Sequence, residues 1–200
     1  MKLPNRLFFT GVPGSKWSGI SQILEKLDGV NTSDHTPERN YSHDDFTGHR
    51  CAYFGLGMEF TSDIETFKPE FREYHLDSPW VNTCGMKILK SHDWSYKLRF
   101  IRENYPNDWI MLVHRPKSAS YDWWKKAGGF DISYPSYKCY ENLSKMKDEI
   151  AAQNAAILQF SSEVEAQWSP FTPDWVLNTF GQKLDFQFPG SDDISVTVIK

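Results

Sequence analysis

Residues 6–10, 85–92 and 108–115 are short apolar runs (RLFFT, GMKILKSH and DWIMLVHR), and each gives way to a segment with helical periodicity. Runs this short and apolar suit strands buried on both faces, which is the condition of a parallel sheet covered by helices. This alternation across residues 6–126 constrains the fold most: α/β, with a central, mainly parallel sheet flanked by helices. A chain of 200 residues suits one domain, 1–200, with a single sizeable core.

Beyond Ser18, Ile20, Ile23, Leu24 and Leu27 recur at helical spacing, with Gly29 as the stop. Leu98, Ile101 and Tyr105 mark a helix over 94–105, and another runs from Lys117 to Lys126, before Gly128-Gly129. The longest helical pattern spans 142–166, and a shorter one, 174–180, is stopped by Gly181. Residues 30–50 are polar and read as a loop, 51–60 (CAYFGLGMEF) as a strand with a tight turn, and Phe67–Tyr74 as a short helix. The tail DISVTVIK alternates like an edge strand.

Composition narrows the partners. A formal charge of −4 gives no general attraction to nucleic acid or anionic membrane. No apolar stretch approaches membrane-spanning length, and the N-terminus lacks the pattern of a signal peptide. Cys51, Cys84 and Cys139 are widely spaced and odd in number, so they form neither a zinc spacing nor a disulfide framework, and a reducing, cytoplasmic setting fits best. The pairs Asp44-Asp45 and Asp192-Asp193 lack partners at useful spacing, so no metal site is expected.

Ligands of open α/β sheets sit beyond the carboxyl ends of the strands. Three strand ends here carry polar or basic groups. After the first comes Gly11-Val12-Pro13-Gly14-Ser15-Lys16-Trp17-Ser18, laid out like a phosphate-binding loop but without the Walker pattern. Its N–H groups at a helix start can cradle an anion, with Lys16 adding charge, Ser15 and Ser18 adding hydroxyls, and Trp17 offering a ring for a base. The plainer alternative is an ordinary strand–helix turn with Trp17 in the core. After the second strand, alternation places Lys90 and His92 on one face, where positive charge would keep the histidine neutral as a general base. Alternatively, His92 simply bonds a loop carbonyl. After the third, Arg115 with Lys117, Ser118 and Ser120 suits a second phosphate, or else Arg115 pairs with a surface carboxylate.

In this order, the three segments resemble the sulfotransferases that use 3′-phosphoadenosine 5′-phosphosulfate. That family's T-Y-P-K-S-G-T-T-W loop corresponds to Thr10–Ser18, its K-T-H to Lys90-Ser91-His92, and its R-N-P-K-D-x-x-x-S to the segment from Arg115. More narrowly, GVPGSKWSG and RPKSASYDWW are similar to segments of small cyanophage sulfotransferase-like proteins, which would place the chain in a host cytoplasm. The resemblance implies a P-loop-like fold and sulfuryl transfer from this nucleotide to a small-molecule hydroxyl acceptor, such as a sugar or phenol, without a metal. It implies that Gly14, Ser15, Lys16, Trp17 and Ser18 hold the phosphosulfate, and that Arg115 and Ser120 hold the 3′-phosphate. His92 would be the base, with Lys16 and Lys90 stabilising charge during transfer, and segments 48–60 and 123–137 would shape the acceptor pocket.

Three departures stand out. Gly14 replaces the loop lysine, Trp123 stands where the 3′-phosphate serine is expected, and the C-terminal K-G-x-x-G-D-W-K segment is absent. A P-loop kinase and a nucleotide-binding module without catalysis remain as alternative readings.

Overall fold

The computed structural model describes residues 2–43, 46–131, 137–188 and 191–200. Its main sheet has the order β4-β1-β5-β7-β6. β1 (Arg6–Gly11) lies in the middle of three parallel strands, with β4 (Lys87–Lys90) on one side and β5 (Trp109–His114) on the other. Phe8 pairs with Leu89 and with Ile110 across these ladders. β7 (Ser195–Ile199) runs antiparallel to β5, and a two-residue β6 (Ser169–Pro170) covers its far side. The tail is therefore not at the edge.

Alternation along β1 explains the two cores. Phe8 faces one side with Trp94, Leu98, Ile101, Leu112, Ile150 and Ile157, while Leu7 and Phe9 face the other with Trp17, Ile20, Leu24, Met111 and Val176. The first side is covered by α3 (Leu98–Asn104), α4 (Lys117–Lys126) and α5 (Leu143–Glu163), the second by α1 (Trp17–Leu24) and α6 (Pro173–Phe180). α5 starts with the Asn142 side chain accepting from the Lys145 N–H, and α6 ends at Gly181 in the left-handed region (φ 73°), which glycine adopts without strain. Among the described residues, no helix is long and apolar enough to cross a membrane.

Local departures have physical reasons. The polar 30–50 segment contains an antiparallel pair, β2 (Asn40–His43) and β3 (Phe46–Arg50). Residues 51–60 form isolated bridges, Tyr53 to Lys90 and Phe54 to Phe60, because the glycines interrupt any ladder. α2 (Pro69–Asp77) overlaps the short helix read around Phe67–Tyr74, starting two residues later and ending three later. The 94–105 segment opens as a 3-10 turn, Asp93–Tyr96, before α3.

That turn is anchored by Trp94, which is fully buried, meets Phe8 edge-on at 5.6 Å and donates its indole N–H to the Leu89 carbonyl at 2.9 Å. It thereby fixes the path of the chain just after His92. Trp94→Phe should keep most of the packing but lose this hydrogen bond, costing roughly 0.5–1.5 kcal/mol in denaturant unfolding. Trp94→Ala should cost about 3–5 kcal/mol. A neutral Trp94→Phe would show that the indole hydrogen bond does not hold this turn.

Candidate functional site

The loop after β1 folds on itself first. The Ser15 N–H donates to the Val12 carbonyl at 3.0 Å, closing a β-turn with Pro13 and Gly14 (φ 79°) as central residues, the signature of type II. Gly14 also has no room for a side chain, since a Cβ there would lie 1.8 Å from the Ser120 carbonyl oxygen. The loop is thus seated directly on α4. Lys16 follows in the left-handed region (φ 61°) and caps α1, with its carbonyl accepting from the Gly19 and Ile20 N–H groups. The N–H groups of Trp17 and Ser18, in the first turn, have no intrahelical acceptor and mark the positive end of the helix dipole.

Two side chains from other strand ends close on this loop. His92 donates from Nδ1 to the Gly11 carbonyl, and Arg115 donates from Nη1 to the Gly14 carbonyl at 3.0 Å. The carboxyl ends of β1, β4 and β5 are thereby tied into one place. Both plainer readings hold at once: His92 bonds a loop carbonyl, and Arg115 pairs with a carboxylate, as its Nε and Nη2 both reach Asp193 Oδ2 at 2.9 Å.

For His92 the carbonyl bond is chemically informative. With the proton on Nδ1, Nε2 keeps its lone pair. Burial lowers the imidazole pKa to about 4, with the Gly11 bond acting in the opposite direction, so the ring is neutral near pH 7. Its neighbours are rings, Trp17 at 4.4 Å and Tyr53 at 5.9 Å between centroids.

Lys90 does not share this environment. β4 ends at Lys90, so strand alternation no longer governs position 92, and the two side chains diverge. Lys90 is buried and donates to Glu25 Oε1 at 2.7 Å and to Ser21 Oγ at 3.3 Å, both in the segment of α1. Burial opposes its charge, but Cys51 and Glu25 beside it raise the pKa above the ordinary lysine value. It forms a structural ion pair, and it is not what keeps His92 neutral. Burial does that.

The remaining expected residues divide. Lys16 places its ammonium 4.3 Å from the centre of the Trp123 ring; burial lowers its pKa, as do Arg115 and Lys126, while Asp193 works against them. Lys16, Arg115 and Lys126 thus form one cationic neighbourhood. Trp17, expected as a base platform, is buried and stacks on Phe9 at 5.5 Å. The Ser15 hydroxyl is buried behind Gly11, without a hydrogen-bond partner among the described residues, and Ser18 is half-buried at the helix start. The Ser120 hydroxyl is buried and donates to the Arg115 carbonyl at 3.3 Å, so it braces the turn into α4.

On the other side of His92 opens a small cleft, bounded near the loop by Pro13 and Tyr53 and farther away by Tyr137, Tyr140, Glu149 and Gln153. Tyr53 and Tyr137 come from the two segments expected to shape a pocket; residues 132–136 of the second, like Asp44-Asp45, lie outside the described residues. Asp193, Glu149 and Gln153 were missed by sequence reasoning. Asp193 stands 78 residues from the arginine it meets, and the other two lie inside the long helical pattern at 142–166, where spacing alone does not mark a cleft. Among the described residues, no group of three or more His, Cys, Asp or Glu is arranged to hold a metal ion. Compared with protein-family models, curated proteins and solved structures, the chain matches none of them.

Two measurements test these assignments. Lys90→Met should destabilise the fold by about 3–5 kcal/mol by leaving Glu25 uncompensated, and Glu25→Leu with Lys90→Met should recover most of that loss. If Lys90→Met is as stable as the parent chain, the ion pair is not structural. The buried neutral His92 also predicts a pH slope. Its folded pKa, about 4, lies below the unfolded value near 6.5, so the unfolded chain binds the extra proton first. This contribution to stability is complete above about pH 6.5 and declines as pH falls toward 4. NMR titration of the ring should show no protonation between pH 8 and 6, and a midpoint near 6.5 would contradict the burial argument.

Proposed function

We propose that this chain transfers a sulfuryl group from 3′-phosphoadenosine 5′-phosphosulfate to a hydroxyl of a small acceptor, on a sulfotransferase-type, P-loop-like fold. The observation that carries the reading is the meeting of three separately encoded segments at one sheet end, where Gly11 and Gly14 accept hydrogen bonds from His92 and Arg115. A neutral base lies on one side of the loop and a cationic neighbourhood on the other. A nucleotide with a reactive 5′ end and a distal 3′-phosphate makes use of both.

In this reading the 5′-phosphosulfate lies against the start of α1, where the Trp17 and Ser18 N–H groups and the helix dipole neutralise charge. His92 Nε2 takes the acceptor's hydroxyl proton as the acceptor oxygen bonds to sulfur. The bond from sulfur to the bridging oxygen breaks, and adenosine 3′,5′-bisphosphate leaves with that electron pair. Lys16 and Arg115 bind the phosphates. Lys90 and the Ser120 hydroxyl have no direct part, because both are engaged inside the protein.

The nucleotide half is tested by calorimetry. Arg115→Lys keeps a charge but loses the planar fork. It should weaken adenosine 3′,5′-bisphosphate by about 1.5–3 kcal/mol while changing adenosine 5′-phosphate little. Equal weakening of both ligands would remove Arg115 from the 3′-phosphate site. The catalytic half is tested with a labelled sulfuryl donor. His92→Asn retains an N–H donor for the Gly11 carbonyl but offers no base, so turnover should fall roughly 10²–10⁴-fold at nearly unchanged nucleotide affinity. Full turnover in that variant would place the base elsewhere, and tight nucleotide binding without any turnover of the parent chain would favour a binding module.

A further inference from the structure

The cleft beside His92 is lined mostly by apolar surface, and the few polar groups at its edge are one-sided in their chemistry. Glu149 and Gln153 lie four residues apart on α5 and so share a face of the helix. Gln153 donates its amide N–H to Glu149 Oε1 at 2.8 Å, and the Tyr96 hydroxyl donates to the same oxygen at 2.9 Å. These bonds fix the amide's orientation, since turning it over would set its oxygen against the carboxylate. Among the described residues Gln153 Oε1 is consequently left buried without a partner, on a residue only 3% exposed. Among the described residues Glu149 Oε2 receives no donor either, as only its Oε1 is engaged. A buried acceptor left unpaired is costly, and a donor arriving from a ligand relieves that cost.

The rest of the cleft agrees in sign. Asp93, next to His92, accepts at Oδ2 from the Leu56 N–H at 3.2 Å, the Ser62 hydroxyl at 2.7 Å and the Tyr137 hydroxyl at 3.5 Å. The hydroxyl of Tyr137 is thus turned toward Asp93, and its ring wall is brought close by Gly55, where a Cβ would lie 2.1 Å from the Tyr137 oxygen. Tyr53, Tyr137 and Tyr140 supply ring surfaces, and ring faces attract cations. Of the nearby cations, Lys97 acts on Asp93 but is already paired with Asp63 and Glu65, while Lys16, Arg115 and Lys126 gather around Trp123 and Asp193.

We infer that the cleft selects a small hydroxyl compound bearing an ammonium or amino group, held by Glu149 and Gln153 with its hydroxyl toward His92, and that it excludes compounds carrying an anion at that end. The inference rests on the proposed transfer only for the role of the hydroxyl. The donor-seeking wall is independent of it.

Binding without any nucleotide separates the two. Saturation-transfer NMR on the intact chain would compare tyramine, 4-ethylphenol and 3-(4-hydroxyphenyl)propionate, which differ at one end as cation, neutral and anion. Glucosamine and glucuronate provide the same contrast on a sugar. The amine should bind best and the carboxylate least in each set. Glu149→Gln, which leaves an oxygen for Tyr96, should erase roughly tenfold or more of the preference for the amine over the neutral compound. Gln153→Met should weaken the amine while Phe71→Ala, on the far surface, should not. Equal affinities across charge, preference for the carboxylate, an unchanged order in Glu149→Gln, or no binding of any member at millimolar concentration would overturn the inference. Amine binding by a chain that ignores adenosine 3′,5′-bisphosphate would leave it standing and remove the sulfuryl-transfer reading instead.

Discussion

Two peptide carbonyls, one at the end of β1 and one in the loop after it, hold the carboxyl end of the sheet together. Gly11 receives the His92 ring and Gly14 receives the Arg115 guanidinium, so the chain leaving β4 and the chain leaving β5 are both tied to the chain leaving β1. Each bond requires the loop to be compact. The Val12–Ser15 turn makes it so, and Gly14 allows it to rest on the Ser120 carbonyl without a side chain between them. A parallel sheet aligns its strands but does not by itself order the segments beyond them. These contacts do, and they also decide which nitrogen of His92 keeps a lone pair.

Much of the frame was legible because local signals agreed with global ones. The buried runs of β1, β4 and β5, the α4 boundaries at Lys117 and Lys126, and the stop at Gly181 follow from periodicity and punctuation. What escaped depended on partners distant in sequence. The β2–β3 pair is polar, so it lacks the apolar alternation that announces a strand. β7 looked like an edge because its residues alternate in polarity, yet Pro170 and Ser169 cover it. Glu25 gave no hint that it would meet Lys90, since that meeting depends on how α1 packs across the sheet.

The site shows the same division between type and placement. Residue types at the three strand ends pointed correctly to one location, while the reason for a neutral histidine came from elsewhere. Lys90 was expected to set the charge state of His92 from the same strand face, but the strand ends first and burial among Trp17 and Tyr53 sets it instead. Glu149 and Gln153 illustrate the complementary difficulty: spacing of four on a helix is compatible with water or with a cleft, and only the packing of α5 beside the 3-10 turn at Asp93–Tyr96 decides between them.

If Arg115 binds a phosphate, as proposed, its pair with Asp193 would give that recognition an unusual arithmetic. Asp193 occupies the guanidinium fork from the same chain, just ahead of β7, so an incoming phosphate meets a tethered competitor instead of an empty receptor. Its affinity becomes the difference between two anion contacts, weighted by the high effective concentration that the tether confers. Exchange of this kind lowers the grip on a phosphate but hastens its departure, because the carboxylate is already in place to reclaim the fork. Release is thereby written into the resting state.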